Sequence, residues 1–374
     1  MTEHLSITKD ELQRRLENTQ NLMQQRDLDG LIVFSSFQER EGHISYLTNH
    51  HNAFPNTLSH MGLGHSALVL PSRGLGALVS PLAYEASKVV NIDHVKTGFT
   101  LAQDVISSVK EKDLESKRIG LVGLDVIPVE YYESIKKGLA KATFEVANDL
   151  LEGQRLIKSP AEIALLRKGA GIADAALLSG MEAATEGASS LDIELAVRKA
   201  ALEAGADFIP RVRISIGPRI ESLTWPTAKR QRVAKGDFVF LDVIGWVDGY
   251  GFDNSRIKVV GKADDKQRGY MEHAAEATEW MTSLVKPGVP LNFTMTMSRE
   301  RQILAVGHGI GLEICENPWL TISPHKATLE PNMVICIEPS VVDRQFGSMC
   351  IEDTVLVTET GVEVLNQCPR VLRS

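Results

Sequence analysis

Cysteine is scarce in this sequence. Four occur in 374 residues, at positions 315, 336, 350 and 368, and none forms a C-x-x-C pair. That excludes a small disulfide-stapled scaffold and fits a reducing compartment. No apolar run approaches the roughly 18–20 residues needed to span a bilayer. The start, Met1-Thr2-Glu3-His4-Leu5, lacks a basic segment followed by an apolar stretch, so no signal peptide is expected and a cytoplasmic protein is. Positive charge is not in excess: 40 Lys and Arg against 48 Asp and Glu leave a net charge of -8. A chain of that balance is a poor ligand for nucleic acid and for anionic membranes, and neither is expected as a partner. A glycine-rich phosphate loop is missing too. Gly62-Leu63-Gly64-His65 has neither a third glycine nor a following helix.

What is present suggests two ordinary cores. Apolar residues make up 43% and charged residues 24%. At roughly 100–200 residues per domain, the length implies two domains. Leu12, Leu16, Leu22 and Met23 recur at helical spacing over 8–30. Leu31-Ile32-Val33-Phe34 reads as a buried strand, and 66–70, 75–80 and 119–122 as further strands. Helices are expected between them near 101–112 and 128–141. Strands alternating with helices indicate an α/β first domain, placed at residues 1–154. The second, 155–374, opens with Ser159 as N-cap and Pro160 at the first helical position. Helices are expected over 161–185, 189–204 and 266–284. Strands are expected over 211–216, 237–247, 250–260, 332–342 and 349–358. This half therefore reads as α+β, helices packed on an antiparallel sheet.

One hairpin carries chemistry. Phe238, Phe240, Asp242, Ile244 and Trp246 share a strand face, and Asp248-Gly249 is a strong two-residue turn. That turn pairs Val247 with Tyr250 and sets Asp242 opposite Ser255, which makes Asp242 and Asp253 diagonal neighbours. Two acids in an apolar strand repel each other and resist burial, unless a cation lies between them. One satisfied Asp beside one edge Asp is the plainer alternative. Three further residues extend the pattern. His308 lies between glycines in Gly307-His308-Gly309-Ile310-Gly311, where little side-chain bulk screens it. Glu338 follows Met333-Val334-Ile335-Cys336-Ile337 and precedes Pro339; Glu352 follows Cys350-Ile351. Both read as acids set in buried strands. Four carboxylates carry a charge that balances two divalent ions, and an oxygen-rich set with one imidazole suits Mn, Fe, Co or Zn.

The order Asp242, Asp253, the His308 motif, Ile337-Glu338-Pro339 and Ile351-Glu352-Asp353-Thr354-Val355 resembles that of the pita-bread metallohydrolases. These include aminopeptidase P, prolidase, methionine aminopeptidase and creatinase. Leu156-Ile157-Lys158-Ser159-Pro160-Ala161-Glu162 is similar to the start of their catalytic domain. The resemblance implies a creatinase-like α/β N-terminal domain and a pita-bread domain with a curved antiparallel sheet. It implies Asp242, Asp253, His308, Glu338 and Glu352 as ligands of two divalent ions, and Glu338 also as the acid/base. It further implies a homodimer in which the N-terminal domain, through His50, His51 and Phe54, approaches the partner's site.

The departures from the family concern substrate handling. A family histidine corresponds to Leu223, a second histidine to Cys315, and an arginine to Cys350. Loss of these groups speaks against ordinary Xaa-Pro peptidase activity while sparing the metal ligands. Arg211, Arg213 and Arg219 are candidates for anchoring a substrate carboxylate. Trp225 is a candidate pocket wall and His325 a candidate proton donor. Leu223, Cys315 and Cys350 would line the substrate space. The expected activity is hydrolysis of a small C–N substrate, an amide, amidine or unusual dipeptide. A metal-dependent lyase acting on a compound such as dimethylsulfoniopropionate, and a non-catalytic binding module, are the alternatives.

Overall fold

The structure is a computed structural model. It describes residues 6–37, 40, 42–52, 64–89, 92, 94–97, 100–221, 231–292, 307–320 and 328–372. The chain divides into two compact units, Ser6–Arg155 and one built on Leu156–Ser374.

The first unit contains helices α1 Lys9–Gln25, α2 Gly42–Thr48, α3 Ala83–Val89, α4 Leu101–Glu111, α5 Val129–Gly138 and α6 Asn148–Leu156, whose last residue belongs to the second unit. Its strands are β1 Gly30–Ser36, β2 His65–Pro71, β3 Ala77–Ser80, β4 His94–Thr97, β5 Arg118–Val122 and β6 Thr143–Val146. They form one sheet in the order β4-β3-β2-β1-β5-β6. The sheet is mixed: β1 runs antiparallel to β2 and parallel to β5. β1 is buried along its whole length, as its continuous apolar run requires of a central strand. α4 and α5 cover one face with Val105, Val109, Tyr131 and Ile135. Each such fully buried side chain contributes roughly 1.5–3 kcal/mol.

The second unit begins with α7 Pro160–Ala183 and α8 Ser190–Glu203. Ser159 and Glu162 form a capping box on the first, Ser189 and Asp192 on the second. Then come β7 Phe208–Gly217, β8 Ile220–Glu221, β9 Phe238–Val247, β10 Tyr250–Val259 and α9 Asp265–Ser283. The chain ends with β11 Gly307–Gly309, β12 Val334–Ile337, β13 Ser340–Asp343, β14 Gly347–Cys350, β15 Asp353–Val357 and β16 Val362–Val364. Three sheets result, β10-β9-β7, β11-β12-β15-β16 and β13-β14-β8. All pairs are antiparallel except β8 with β14. α7 lies on the first sheet, and Gly180 allows the close approach. A Cβ there would collide with Val197 and Leu241.

The stretches 332–342 and 349–358 each read as one strand in sequence. Each is two strands. β12 pairs with β15, β13 pairs with β14, and the hairpin changes sheet between them at Glu338-Pro339 and Ile351-Glu352. Glu338 and Glu352 therefore stand in paired breaks of the ladder and not within strands. Proline at 339 has no N–H to give to a ladder, which suits it to such a break.

Candidate metal centre

The β9–β10 hairpin supplies two acids. Its turn residues Asp248 and Gly249 have φ of 50° and 80°, the left-handed pair that a tight hairpin demands. Register follows: Val247 faces Tyr250 and Asp242 faces Ser255. Thr354 Oγ1 donates to the Asp253 carbonyl (3.2 Å), which ties β15 to this hairpin. On the β11–β12–β15 sheet, His308 faces Cys336 and Cys336 faces Thr354. The breaks at Glu338 and Glu352 continue that face.

These elements bring Asp242, Asp253, His308, Glu338 and Glu352 together. Donor atoms of Asp242, Asp253 and Glu352 all lie within 4.8 Å of one another, as do those of His308, Cys336 and Glu352. His308 Nε2 stands 3.5 Å from Glu338 Oε1. Asp242, Asp253, His308 and Glu352 are buried, while the Glu338 side chain keeps 16% of its surface. Asp242 Oδ1, Asp253 Oδ1 and Glu352 Oε1 have no hydrogen-bond partner among the described residues. A buried, unsatisfied carboxylate oxygen is costly, and three in one place mark a site shaped for something else.

Electrostatics agree. Burial pushes the Asp253 carboxyl well above the usual range, and the charges of Glu352, Asp242 and Glu338 add to it. Glu352 is raised well above by burial, then by Glu338 and Asp242. Asp242 is raised by burial, against the opposing field of Arg213. Glu338 is pushed up to about 7, first by burial and then by Asp242. Each group thus favours a proton, or a cation in its place. His308 is lowered by burial. Its Nδ1 lies 3.0 Å from the Gly309 carbonyl, which fixes the proton on Nδ1 and leaves the Nε2 lone pair toward the acids.

The glycines around His308 serve a different purpose from the one their pattern suggests. His308 is buried, so they do not open it to solvent. A Cβ at Gly309 would collide with the Asn317 backbone, and one at Gly311 with the Glu316 carboxylate. Glu316 in turn accepts from Lys158 Nζ (2.8 Å), a buried ion pair that secures the loop after His308.

Other candidate residues fall in different places. Arg213 faces Asp242 across β7 and β9 and forms an ion pair with it. Arg219 Nη1 donates to the Arg344 carbonyl (2.7 Å) at an exposed position. Cys350 is buried, with its Sγ 3.4 Å from Ser255 Oγ. Cys315 is exposed; the partial enclosure of its thiol, then Asp253, Glu338 and Glu352, push its pKa up, which disfavours a thiolate. Leu223, Trp225, His325 and Phe54 lie outside the described residues. His50 is buried in its own unit, with Nε2 3.2 Å from both Ser66 Oγ and Ser80 Oγ, so it is not presented outward.

Two contributors carried no signal in the sequence reading. Cys336 is fully buried; its Sγ lies 3.7 Å from Thr354 Oγ1 and within 4.8 Å of donor atoms of His308 and Glu352. Arg256 is also fully buried. It donates to the Glu352 carbonyl, to Asn254 Oδ1 (2.6 Å) and to Asp353 Oδ1 (2.7 Å). Arg370 Nε takes the other Asp353 oxygen (2.7 Å). Arg256 therefore grips the residues immediately after both Asp253 and Glu352. A cation three residues after an acid on one apolar strand was the available clue to Arg256.

The family model described as Metallopeptidase family M24 matches residues 164–359, just over half of the chain. The chain belongs to this metallopeptidase family. The Creatinase/Prolidase N-terminal domain model matches residues 15–157 of this family member. It is 32% identical to the Xaa-Pro dipeptidase of Pyrococcus furiosus over 64% of its own length and 71% of the relative's. It is 25% identical to an uncharacterized peptidase of Bacillus subtilis over 96% and 99% of the two chains. Among solved structures, the prolidase of Pyrococcus horikoshii superposes with a TM-score of 0.79 at 25% identity, covering 96% of this chain and 99% of that one. This family member is thus a metallohydrolase with a creatinase-like N-terminal domain and a pita-bread domain. No helix among its described residues is long and apolar enough to cross a membrane.

Proposed function

We propose that the chain hydrolyses the C–N bond of a small, dipeptide-like amide with two divalent ions as cofactor. The observation that carries this reading is the set of partnerless oxygens on Asp242, Asp253 and Glu352 inside one cluster. Oxygen donors with one imidazole suit Mn, Fe, Co or Zn. Asp242, Asp253 and Glu352 would hold one ion; His308, Glu338 and Glu352 would hold the other. When bound, such ions supply Lewis-acid polarisation of a carbonyl and make water acidic near neutral pH.

The chain's own groups do the rest. Glu338 accepts the proton of the attacking water and delivers it to the leaving nitrogen; its partial exposure leaves it within reach of both. His308 stays neutral, oriented by the Gly309 carbonyl. Arg211, facing Ile244 from the same side of β7 as Arg213, is a candidate with Arg213 and Arg219 to hold a substrate carboxylate. Cys315 and Cys350 in place of a histidine and an arginine narrow the substrate away from ordinary Xaa-Pro dipeptides. A homodimer, the commonest oligomer, and a cytoplasmic location belong to the same reading.

The test is a panel of Xaa-Pro dipeptides, other dipeptides, small amides and sulfonium compounds. It is run on the full chain loaded with Mn, Fe, Co or Zn in heavy-oxygen water. Chelator-sensitive cleavage of a non-prolyl amide with oxygen incorporated is expected. Elimination without incorporation would replace hydrolysis by the lyase reading, and a chain that takes up none of these metals would sink both.

A further inference from the structure

One row of side chains crosses four strands. Arg213 on β7 faces Asp242 on β9, and Asp242 faces Ser255 on β10. Ser255 Oγ reaches Cys350 on β14, whose Sγ lies 3.4 Å away. Arg213 is the cation of that row. Cross-strand neighbours have Cβ atoms about 4.5–5.5 Å apart, so backbone register alone keeps its guanidinium beside the Asp242 carboxylate. The two form an ion pair, and the Arg213 side chain retains 22% of its surface against 4% for Asp242. The same guanidinium acts on Asp253, Glu352 and Glu338 through its charge, without an ion pair to any of them among the described contacts. The ion-paired acid, Asp242, belongs to one candidate ion position and not to the other. The second position, at His308, Glu338 and Glu352, has no residue of β7 facing His308 across a ladder.

We infer that Arg213 is a resident countercharge of the acidic cluster, and that it makes the Asp242–Asp253–Glu352 position the weaker of the two for a divalent ion. The inference rests on the metal reading proposed above. A cation entering at that position must share Asp242 with the guanidinium or displace it. Arginine stays protonated, so its charge cannot be titrated out of the way. Four carboxylates and one guanidinium leave a net charge of -3 where two divalent ions bring +4. Removing the arginine should therefore strengthen the weaker ion, which shares the ion-paired Asp242, more than the stronger one.

The test is a Mn2+ titration of the chelator-treated full chain, read by calorimetry and by the electron-spin signal of free manganese. Wild type should show two classes of site. Arg213→Gln should tighten the weaker class by about tenfold or more, the scale expected when a unit charge within a few ångströms is removed from a partly buried site. Arg213→Lys, which keeps the charge, should leave that class within about threefold of wild type on the same reasoning. Arg213→Met is a second charge-free variant, should the glutamine variant fail to fold. An unchanged or weakened class in the charge-free variants would overturn the inference, as would glutamine and lysine acting alike. In those cases two ions still bind and the metal reading stands. No manganese bound by any variant, wild type included, would bring down the metal reading and this inference together.

Discussion

Both units bury polar side chains, and they do so in opposite ways. In the first, Ser35, His50, Asn52, Ser66 and Ser80 form a neutral hydrogen-bonded group: His50 Nε2 to both serines, Ser66 Oγ to Asn52 Oδ1 (2.5 Å), Asn52 Nδ2 to Ser35 Oγ (3.1 Å). Burial, then His51, lowers the pKa of His50 to about 4, so the group stays uncharged. In the second, four acids are crowded together, and three keep oxygens without partners among the described residues. A neutral, satisfied network fixes a fold and asks nothing more. A charged, unsatisfied one opposes folding unless a cation lies within it, as proposed above.

The largest effect that would break this contrast is at Asp253. Asp253→Asn preserves shape and removes a charge. Bound metal and hydrolysis should both fall by more than about a hundredfold, beyond the loss typical of residues that only orient a ligand. The chelator-treated variant should meanwhile be harder to unfold than chelator-treated wild type, because a repelling charge is gone. Elemental analysis and urea unfolding check the two halves. A variant that keeps its metal would put the contrast in doubt.

Arg256 comes next. Arg256→Met leaves the Glu352 carbonyl and half of the Asp353 carboxylate without their donor, a loss of roughly 3–5 kcal/mol when a buried pair is broken from one side. Metal affinity should fall with it, since both neighbours of the gripped residues are candidate ligands. Stability lost with full metal affinity retained would make Arg256 a core residue only.

The smallest effect is a pH slope, and its sign differs between the units. Glu338 sits at about 7 against an ordinary 4.5, a raised carboxyl. In the metal-free chain its contribution is complete below about 4.5 and is lost as pH rises through 7. His50, lowered to about 4 from 6.5, behaves the other way: its contribution is complete above 6.5 and is lost as pH falls through 4. All four tryptophans, 225, 246, 280 and 319, lie in the second unit, so their emission reports that unit alone. Urea midpoints of the chelator-treated chain read by tryptophan should fall between about pH 5 and 8, and manganese should flatten the slope. A midpoint that rises over that range would contradict the charge crowding.

The hairpin was legible from sequence because a two-residue Asp-Gly turn leaves one register open, and register alone places Asp242 and Asp253 on one face. α7 was legible because Ser159 and Pro160 announce its start, and α8 because Gly205, at a φ of 101°, stops it just past its last turn. Short elements were not. β4 and β6 are edge strands with exposed ends and no apolar run to announce them. α2 is buried on every side, so it has no polar face to set a helical period. The sheet change at Glu338 and Glu352 was hidden because apolar residues continue on either side of it. Hydrophobic pattern reports burial, and burial persists when a strand leaves one sheet for the next.

That sheet change also bears on how such a protein diversifies. Glu338 and Glu352 sit where the backbone forms no ladder, so exchanging their side chains removes no strand pairing and empties no part of the hydrophobic core. Losing an acid here even relieves repulsion. Inheritance of the architecture is therefore uncoupled from inheritance of the chemistry. Descendants can drift to new substrates, or to none, with little penalty in folding, and the acids persist only as long as selection acts on what they do.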